Sequence, residues 1–62
     1  MRYLIINKGS MEVYERAYIT DVAFIVGVPG FDISRSLKRT GRWDREDGVI
    51  TVIYNQPVDS SV

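Results

Sequence analysis

The first sixteen residues show the hydrophobic and polar pattern of a β-hairpin. Residues 3–6 form an apolar block of strand-favouring side chains, and residues 7–10 have the composition of a turn. Residues 11–16 then alternate, with Met11 and Val13 on one side and polar or amphipathic side chains on the other. This period of two after a glycine-containing turn predicts the return strand of a hairpin.

Residues 19–28 fit either a helix or a strand, and the predicted fold depends on which they form. Four apolar side chains follow the i, i+3, i+4, i+7 spacing of a buried helix face: Ile19, Val22, Ala23 and Val26. Thr20 can cap a helix here, with Asp21 in its first turn. Ile19 can then pack on Phe24 as a hydrophobic staple. The β-branched and aromatic content favours a strand instead. The cap and staple favour a helix that Gly27 ends.

A second helix is predicted over residues 31–40, after a Pro-Gly turn at residues 28–30. Its predicted inner face consists of Ile33, Ser36, Leu37 and Thr40, and its predicted outer face includes Phe31, Arg35 and Lys38. Asp32 lies in the first turn, Lys38 and Arg39 lie in the last, and Gly41 follows as a stop. Each end therefore carries the charge that the helix dipole favours.

The last strand is predicted at residues 49–54, after a polar loop at residues 44–48. Both faces of this strand are largely apolar, as are those of residues 3–6, which is typical of strands covered on both sides. We therefore expect the two strands to be neighbours. The predicted fold is α+β, a small antiparallel β-sheet with a helix-turn-helix in the order β-β-α-α-β. We expect residues 1–55 to form a single compact domain and residues 56–62 a flexible C-terminal tail.

The amino-acid composition excludes several classes of functional site. The 62-residue chain has no cysteine and no histidine, which excludes disulfides, the usual zinc sites and the common nucleophilic triads. No pair of side chains suited to acid-base catalysis stands out, so we expect no enzyme, no catalytic residue, no metal and no cofactor. A core of this size supplies only about 3–5 kcal/mol, which favours a homodimer. No apolar run approaches the ~20 residues of a membrane span, so we expect a cytoplasmic protein with no membrane contact.

Positive charge is concentrated on and just after the second predicted helix. The chain has equal numbers of basic and acidic residues, yet four of its eight Lys and Arg side chains fall between Ile33 and Trp43 with no acidic residue among them: Arg35, Lys38, Arg39 and Arg42. Such a patch suits phosphate groups, and the hydroxyls of Ser34 and Thr40 can add backbone contacts. The same residues would equally suit a solvated helix face whose charges complement the dipole.

The spacing of Ala23, Gly27, Ile33 and Leu37 is that of two helices held close across a sharp turn. Residues 19–43 resemble the helix-turn-helix of LacI-type and MerR-type regulators and the modular DNA-binding domains of homing endonucleases. Phage Cro-like repressors are similar in length and in having flanking strands. The resemblance implies a non-enzymatic protein that binds double-stranded DNA as a dimer, namely a transcriptional regulator or accessory factor of phage-like type.

The resemblance also implies which residues contact DNA. The positions that meet base edges correspond here to Gly30, Phe31, Ser34, Arg35 and Lys38, with Arg39 and Arg42 holding phosphates. Such families usually carry polar readers at the turn and helix start, where this chain has Pro29, Gly30 and Phe31. Phe31 can contact a thymine methyl group, whereas proline and glycine cannot read a hydrogen-bond pattern.

A second hypothesis is a protein-binding module that occludes a partner, such as a host protein. The apolar faces of residues 3–6 and 49–54, or an unpaired strand edge, would then be the contact surface. Trp43 could stack on a base or sugar, but a core position fits a lone tryptophan better in a domain of this size.

Overall fold

The computed structural model describes residues 2–55 and shows an α+β fold. Its elements in chain order are β1 (Arg2–Asn7), β2 (Glu12–Arg16), α1 (Ile19–Val26), α2 (Gly30–Thr40), β3 (Arg42–Asp44) and β4 (Ile50–Asn55). The predicted fold class is confirmed, with one strand more than expected. The predicted tail at residues 56–62 lies outside the described residues.

The four strands form one antiparallel sheet in the order β2-β1-β4-β3. The prediction that the first and last strands are neighbours is therefore confirmed. Ile5 pairs with Val52 at the centre, and Tyr3 pairs with Tyr54, with ring centroids 5.8 Å apart. The apolar residues on both faces of β1 and β4 explain this central position, because each face is at least partly shielded from water.

Strand β3 was not predicted, and the predicted loop at residues 44–48 begins one residue too early. Trp43 pairs with Val52 of β4 and packs against the core. The hydroxyls of Ser36 and Thr40 donate to the backbone carbonyl of Arg42, at 2.7 and 3.0 Å. These bonds fasten the end of α2 to β3, so a segment of only three residues is held in the sheet.

Residues 19–26 form a helix despite their β-branched composition, which confirms the helical prediction. Val22 and Val26 are buried one turn apart against the sheet, and burial of this stripe outweighs the local preference for a strand. Gly27 ends the helix in the left-handed conformation, with φ of 75°, and its N–H donates to the carbonyl of Ala23 at 2.9 Å.

The predicted start of α1 is wrong. The N-cap is Tyr18, which makes no side-chain capping bond, so Thr20 lies inside the helix rather than before it. Phe24 is 89% exposed and does not form the predicted staple with Ile19, which packs against the core. The helix begins two residues earlier than a Thr20 cap would allow, and this shift moves Phe24 away from the entry turn.

Helix α2 spans one residue more than predicted, and Gly41 ends it with φ of 78°. Ile33 and Leu37 are buried, as the periodicity predicts. The prediction that Thr40 belongs to the inner face is wrong, because Thr40 is exposed and its hydroxyl is bonded to the carbonyls of Ser36 and Arg42. The last turn of α2 has passed the edge of the core and serves as the connection to β3.

Both helices cover the same face of the sheet, with α1 over β1 and β2 and α2 over β3 and β4. The core between helices and sheet consists of Ile5, Val22, Val26, Ile33, Leu37, Ile50 and Val52. In residues 2–55, neither helix has the length and apolar character required to cross a membrane.

Candidate nucleic-acid interface

The helix pair presents α2 at the surface because its first turn lies close against α1. A Cβ built at Gly30 would lie 3.4 Å from Cγ1 of Ile19 and 3.7 Å from Cβ of Ala23. Gly27 turns the chain with a positive φ that other residues adopt only with strain. Together these residues let α2 pack on α1 and on the sheet through one side only. The other side of α2 faces solvent.

That solvent-facing side of α2 carries most of the residues predicted to contact DNA. Phe31 is 65% exposed, Ser34 is half-buried, and the remaining members are exposed. We call this set the α2 outer surface; its members are Phe31, Ser34, Arg35, Lys38 and Arg39. Because Ile33 and Leu37 are anchored in the core on the opposite side, these five side chains project from a fixed helix.

The cations of the α2 outer surface are accessible. The Arg35 guanidinium lies 5.9 Å from the centroid of the Phe31 ring. Its distance to the Asp32 carboxylate is 4.0 Å, which is long for an ion pair. A pair this long and this exposed contributes little, so it does not prevent Arg35 from binding a phosphate. Lys38 and Arg39 form no ion pair within residues 2–55.

Arg42 lies apart from the other predicted phosphate contacts. Trp43 faces the helices, so the alternation of β3 directs Arg42 and Asp44 to the opposite face of the sheet. The Arg42 guanidinium donates two hydrogen bonds to the Asp44 carboxylate, at 2.9 and 3.2 Å. Hydrogen bonds from Arg42 and from the Thr51 hydroxyl, the latter at 2.6 Å, lower the pKa of Asp44. A phosphate would have to compete with this carboxylate for Arg42.

Gly30 is also separated from the α2 outer surface. It is half-buried against α1, where a Cβ would make ordinary van der Waals contacts with Ile19 and Ala23. Its position therefore suits packing of the helix pair rather than contact with a base.

The other side of the helix pair carries negative charge. A shallow groove lies between the turn and the β3–β4 loop, and four of its lining residues are acidic: Asp32, Asp44, Glu46 and Asp47. Arg45 compensates part of this charge by bonding Asp47 at 2.6 Å, and that bond lowers the pKa of the Asp47 carboxyl. Within residues 2–55 no three acidic side chains are grouped as metal ligands. The groove repels phosphate and so marks one boundary of the α2 outer surface.

The sequence reasoning missed the role of Asp32 in the site. It assigned Asp32 only to the helix dipole, whereas the carboxylate also faces Arg35 across one helical turn. The i, i+3 spacing of the two residues is the feature that could have indicated this contact.

A scan against protein-family models, a search of curated proteins and a search of solved structures each found no match to this chain. The resemblance to helix-turn-helix regulators therefore stays a prediction.

Proposed function

We propose that this protein binds double-stranded DNA without catalysis, as a small transcriptional regulator or accessory factor. The supporting observation is that Arg35, Lys38 and Arg39 lie on the exposed side of a helix whose opposite side is anchored by Ile33 and Leu37. An α-helix fits the major groove of B-DNA, and a fixed helix presents its cations to phosphates in one orientation.

The members of the α2 outer surface have complementary roles in this proposal. The guanidinium of Arg35 can donate two hydrogen bonds to a guanine edge or to a phosphate. Phe31, beside it, offers an apolar contact to a thymine methyl group. Lys38 and Arg39, in the last turn, contact the phosphate backbone, and these contacts give affinity without sequence preference.

A salt titration of duplex binding tests the proposal. With Arg35, Lys38 and Arg39 each contacting one phosphate, a plot of the logarithm of the binding constant against the logarithm of salt concentration should have a slope of about −2.7. This value follows from roughly 0.9 per neutralised phosphate. Binding should therefore weaken about 40-fold between roughly 50 and 200 mM salt. The double variant Arg35→Ala/Lys38→Ala should reduce the slope to about −0.9. Fluorescence anisotropy with a labelled duplex measures both quantities.

The matched control is Lys8→Ala, which removes one exposed cation from the β1–β2 turn, away from α2. Lys8→Ala should leave the slope close to that of the unchanged protein. An Arg35→Ala/Lys38→Ala variant that binds with unchanged slope, while remaining folded, would contradict the proposal.

A protein-binding function is the second candidate, and one observation favours it. The sheet face not covered by the helices carries Leu4, Ile6 and Ile53, all half-buried, and the exposed Val13 beside them. A stoichiometric protein partner that is lost on Val13→Lys and retained by Arg35→Ala/Lys38→Ala would favour this function over DNA binding.

A further inference from the structure

Within residues 2–55 strand β2 is an outer strand of the sheet with no strand beside its far edge, and its sequence is self-complementary. Its five residues read Glu-Val-Tyr-Glu-Arg from Glu12 to Arg16. An outer strand presents unpaired N–H and C=O groups that can pair with another strand. A second β2 running antiparallel is therefore one possible partner, and the side chains determine whether it fits.

The register centred on Tyr14 places opposite charges across the junction at both ends. In that register Glu12 lies opposite the partner's Arg16, Arg16 lies opposite the partner's Glu12, and the two Tyr14 residues meet at the two-fold axis. Centring the pairing on Val13 instead places Glu12 opposite the partner's Tyr14 and Arg16 opposite the partner's Ser10, so no opposite charges meet. Centring it on Glu15 places two carboxylates together. Opposite charges that face each other stabilise a strand pair and like charges destabilise it, so charge favours the Tyr14 register over both of these alternatives.

The side chains of one chain already stand in the arrangement that this register needs. Glu12, Tyr14 and Arg16 share one face of β2 by alternation. The Tyr14 hydroxyl donates to Oε1 of Glu12 at 2.8 Å, and the Arg16 guanidinium lies 5.8 Å from the centroid of the Tyr14 ring. The acid and the base thus flank Tyr14, one on each side.

The remaining acidic residue of β2 does not oppose this pairing. Glu15 projects to the other face of the sheet, where Arg2 pairs with it at 3.1 Å and the Asn55 amide donates to it. Its charge is therefore compensated within its own chain. Opposite Glu15 the register places the partner's Val13, which introduces no like charge.

We propose that a second copy of this chain pairs antiparallel along β2, with Tyr14 at the two-fold axis. The result is a continuous eight-stranded sheet with all four helices on one side. Because the charge argument concerns β2 alone, the dimer does not depend on the proposed function.

The separation of the two α2 helices in this dimer suits duplex DNA, and this part of the inference rests on the proposed function. Helix α2 lies over β4 and β3, about two and a half strand spacings from β2. With strands ~4.8 Å apart and half a spacing to the axis, the two copies of α2 lie about 29 Å apart. That distance is close to the ~34 Å between successive major grooves on one side of B-DNA. Both α2 helices then lie on the same side of the sheet.

Charge reversal tests the dimer in the absence of DNA. Sedimentation equilibrium of the unchanged protein should show a monomer–dimer equilibrium. Arg16→Glu and Glu12→Arg should each weaken dimerisation about tenfold or more, because both cross-strand pairs then become like charges. The double variant E12R/R16E should restore the dimer, and an equimolar mixture of the two single variants should form the heterodimer.

The matched controls carry the same charge changes elsewhere. Lys8→Glu matches Arg16→Glu, and Glu46→Arg matches Glu12→Arg; both positions are exposed and lie outside β2. Neither control should alter dimerisation. Far-UV circular dichroism verifies that each variant is folded.

Three results would overturn the inference: a monomer at all concentrations up to about 1 mM, a dimer that both single reversals leave unchanged, or a folded double variant that stays monomeric. None of these results bears on DNA binding by the α2 outer surface. A monomer that still binds duplex through Arg35 and Lys38 would leave the proposed function standing and remove only the dimer.

Discussion

Replacing Leu37 by alanine separates the role of α2 in the core from its role at the surface. Leu37 is 2% exposed and packs among the seven buried apolar residues between helices and sheet. Truncating a buried leucine to alanine lowers the free energy of unfolding by about 2–5 kcal/mol. A single core in a chain of this size supplies only about 3–5 kcal/mol. Leu37→Ala should therefore leave the monomer at the margin of stability.

Urea unfolding followed by Trp43 fluorescence and far-UV circular dichroism measures this loss. Trp43 is half-buried against the core, so its emission reports on packing between α2 and β3. With a slope of about 1 kcal/mol per molar urea, the midpoint should fall by about 2 M or more. The neighbouring exposed residue provides the control: Lys38→Ala should change the free energy of unfolding by less than about 0.5 kcal/mol. A Leu37→Ala midpoint equal to that of the unchanged protein would refute the assignment of α2 to the core.

Three further predictions concern the turn, the site and the acid response. Asp32→Asn removes a carboxylate 4.0 Å from Arg35, so duplex affinity at low salt should rise by about threefold. The urea midpoint should fall slightly, because an acidic residue in the first turn stabilises a helix. Weaker duplex binding in anisotropy would contradict DNA contact by the α2 outer surface. Gly27→Ala should lower the free energy of unfolding by about 1 kcal/mol, because φ is 75° and nothing lies within 4 Å of the new Cβ; a loss above roughly 3 kcal/mol in urea would show crowding that the structure lacks. Hydrogen bonds from Arg42 and Thr51 lower the folded pKa of Asp44 below its ordinary value of 3.8, so the stability it contributes is present above that pH and lost as the pH falls through the folded pKa. Asp44→Asn should therefore flatten the acid side of the curve of urea midpoint against pH, and an unchanged acid side would argue against the Asp44 hydrogen bonds.

Hydrophobic periodicity predicted most of the fold because most of the core is regular. The i, i+4 pair of Ile33 and Leu37 is buried as the pattern requires. The two strands predicted to be apolar on both faces are the neighbouring strands β1 and β4. The pattern could not give β3, since three residues contain too few positions to show a period. That strand depends on hydroxyl bonds from Ser36 and Thr40 to the Arg42 carbonyl, which only the folded chain brings together.

The candidate site was less completely predictable, because composition does not show in which direction each side chain points. The helical period placed Arg35 and Lys38 outward, as the structure shows. Charge counting grouped Arg42 with them because it is near in sequence. The structure separates it, because residue 42 lies in a strand whose alternation turns the side chain toward the face that the helices leave uncovered. Gly30 lies against α1, a contact that depends on the angle between two helices and not on sequence spacing.

The sequence also could not predict that β2 is an outer strand of the sheet. Alternation predicted the strand, but strand order determines which strands are outermost, and that order depends on how β4 inserts between β1 and β3. The opposite charges at Glu12 and Arg16 bear on pairing with a second copy only because β2 is an outer strand among the described residues.

The central claim, that the α2 outer surface contacts duplex DNA, is tested most directly by mapping backbone amide shifts of the labelled protein during titration with a duplex. We expect the largest changes to cluster in α2, around Phe31, Arg35, Lys38 and Arg39. Changes concentrated instead on the uncovered sheet face or in the acidic groove, with α2 unaffected, would contradict it.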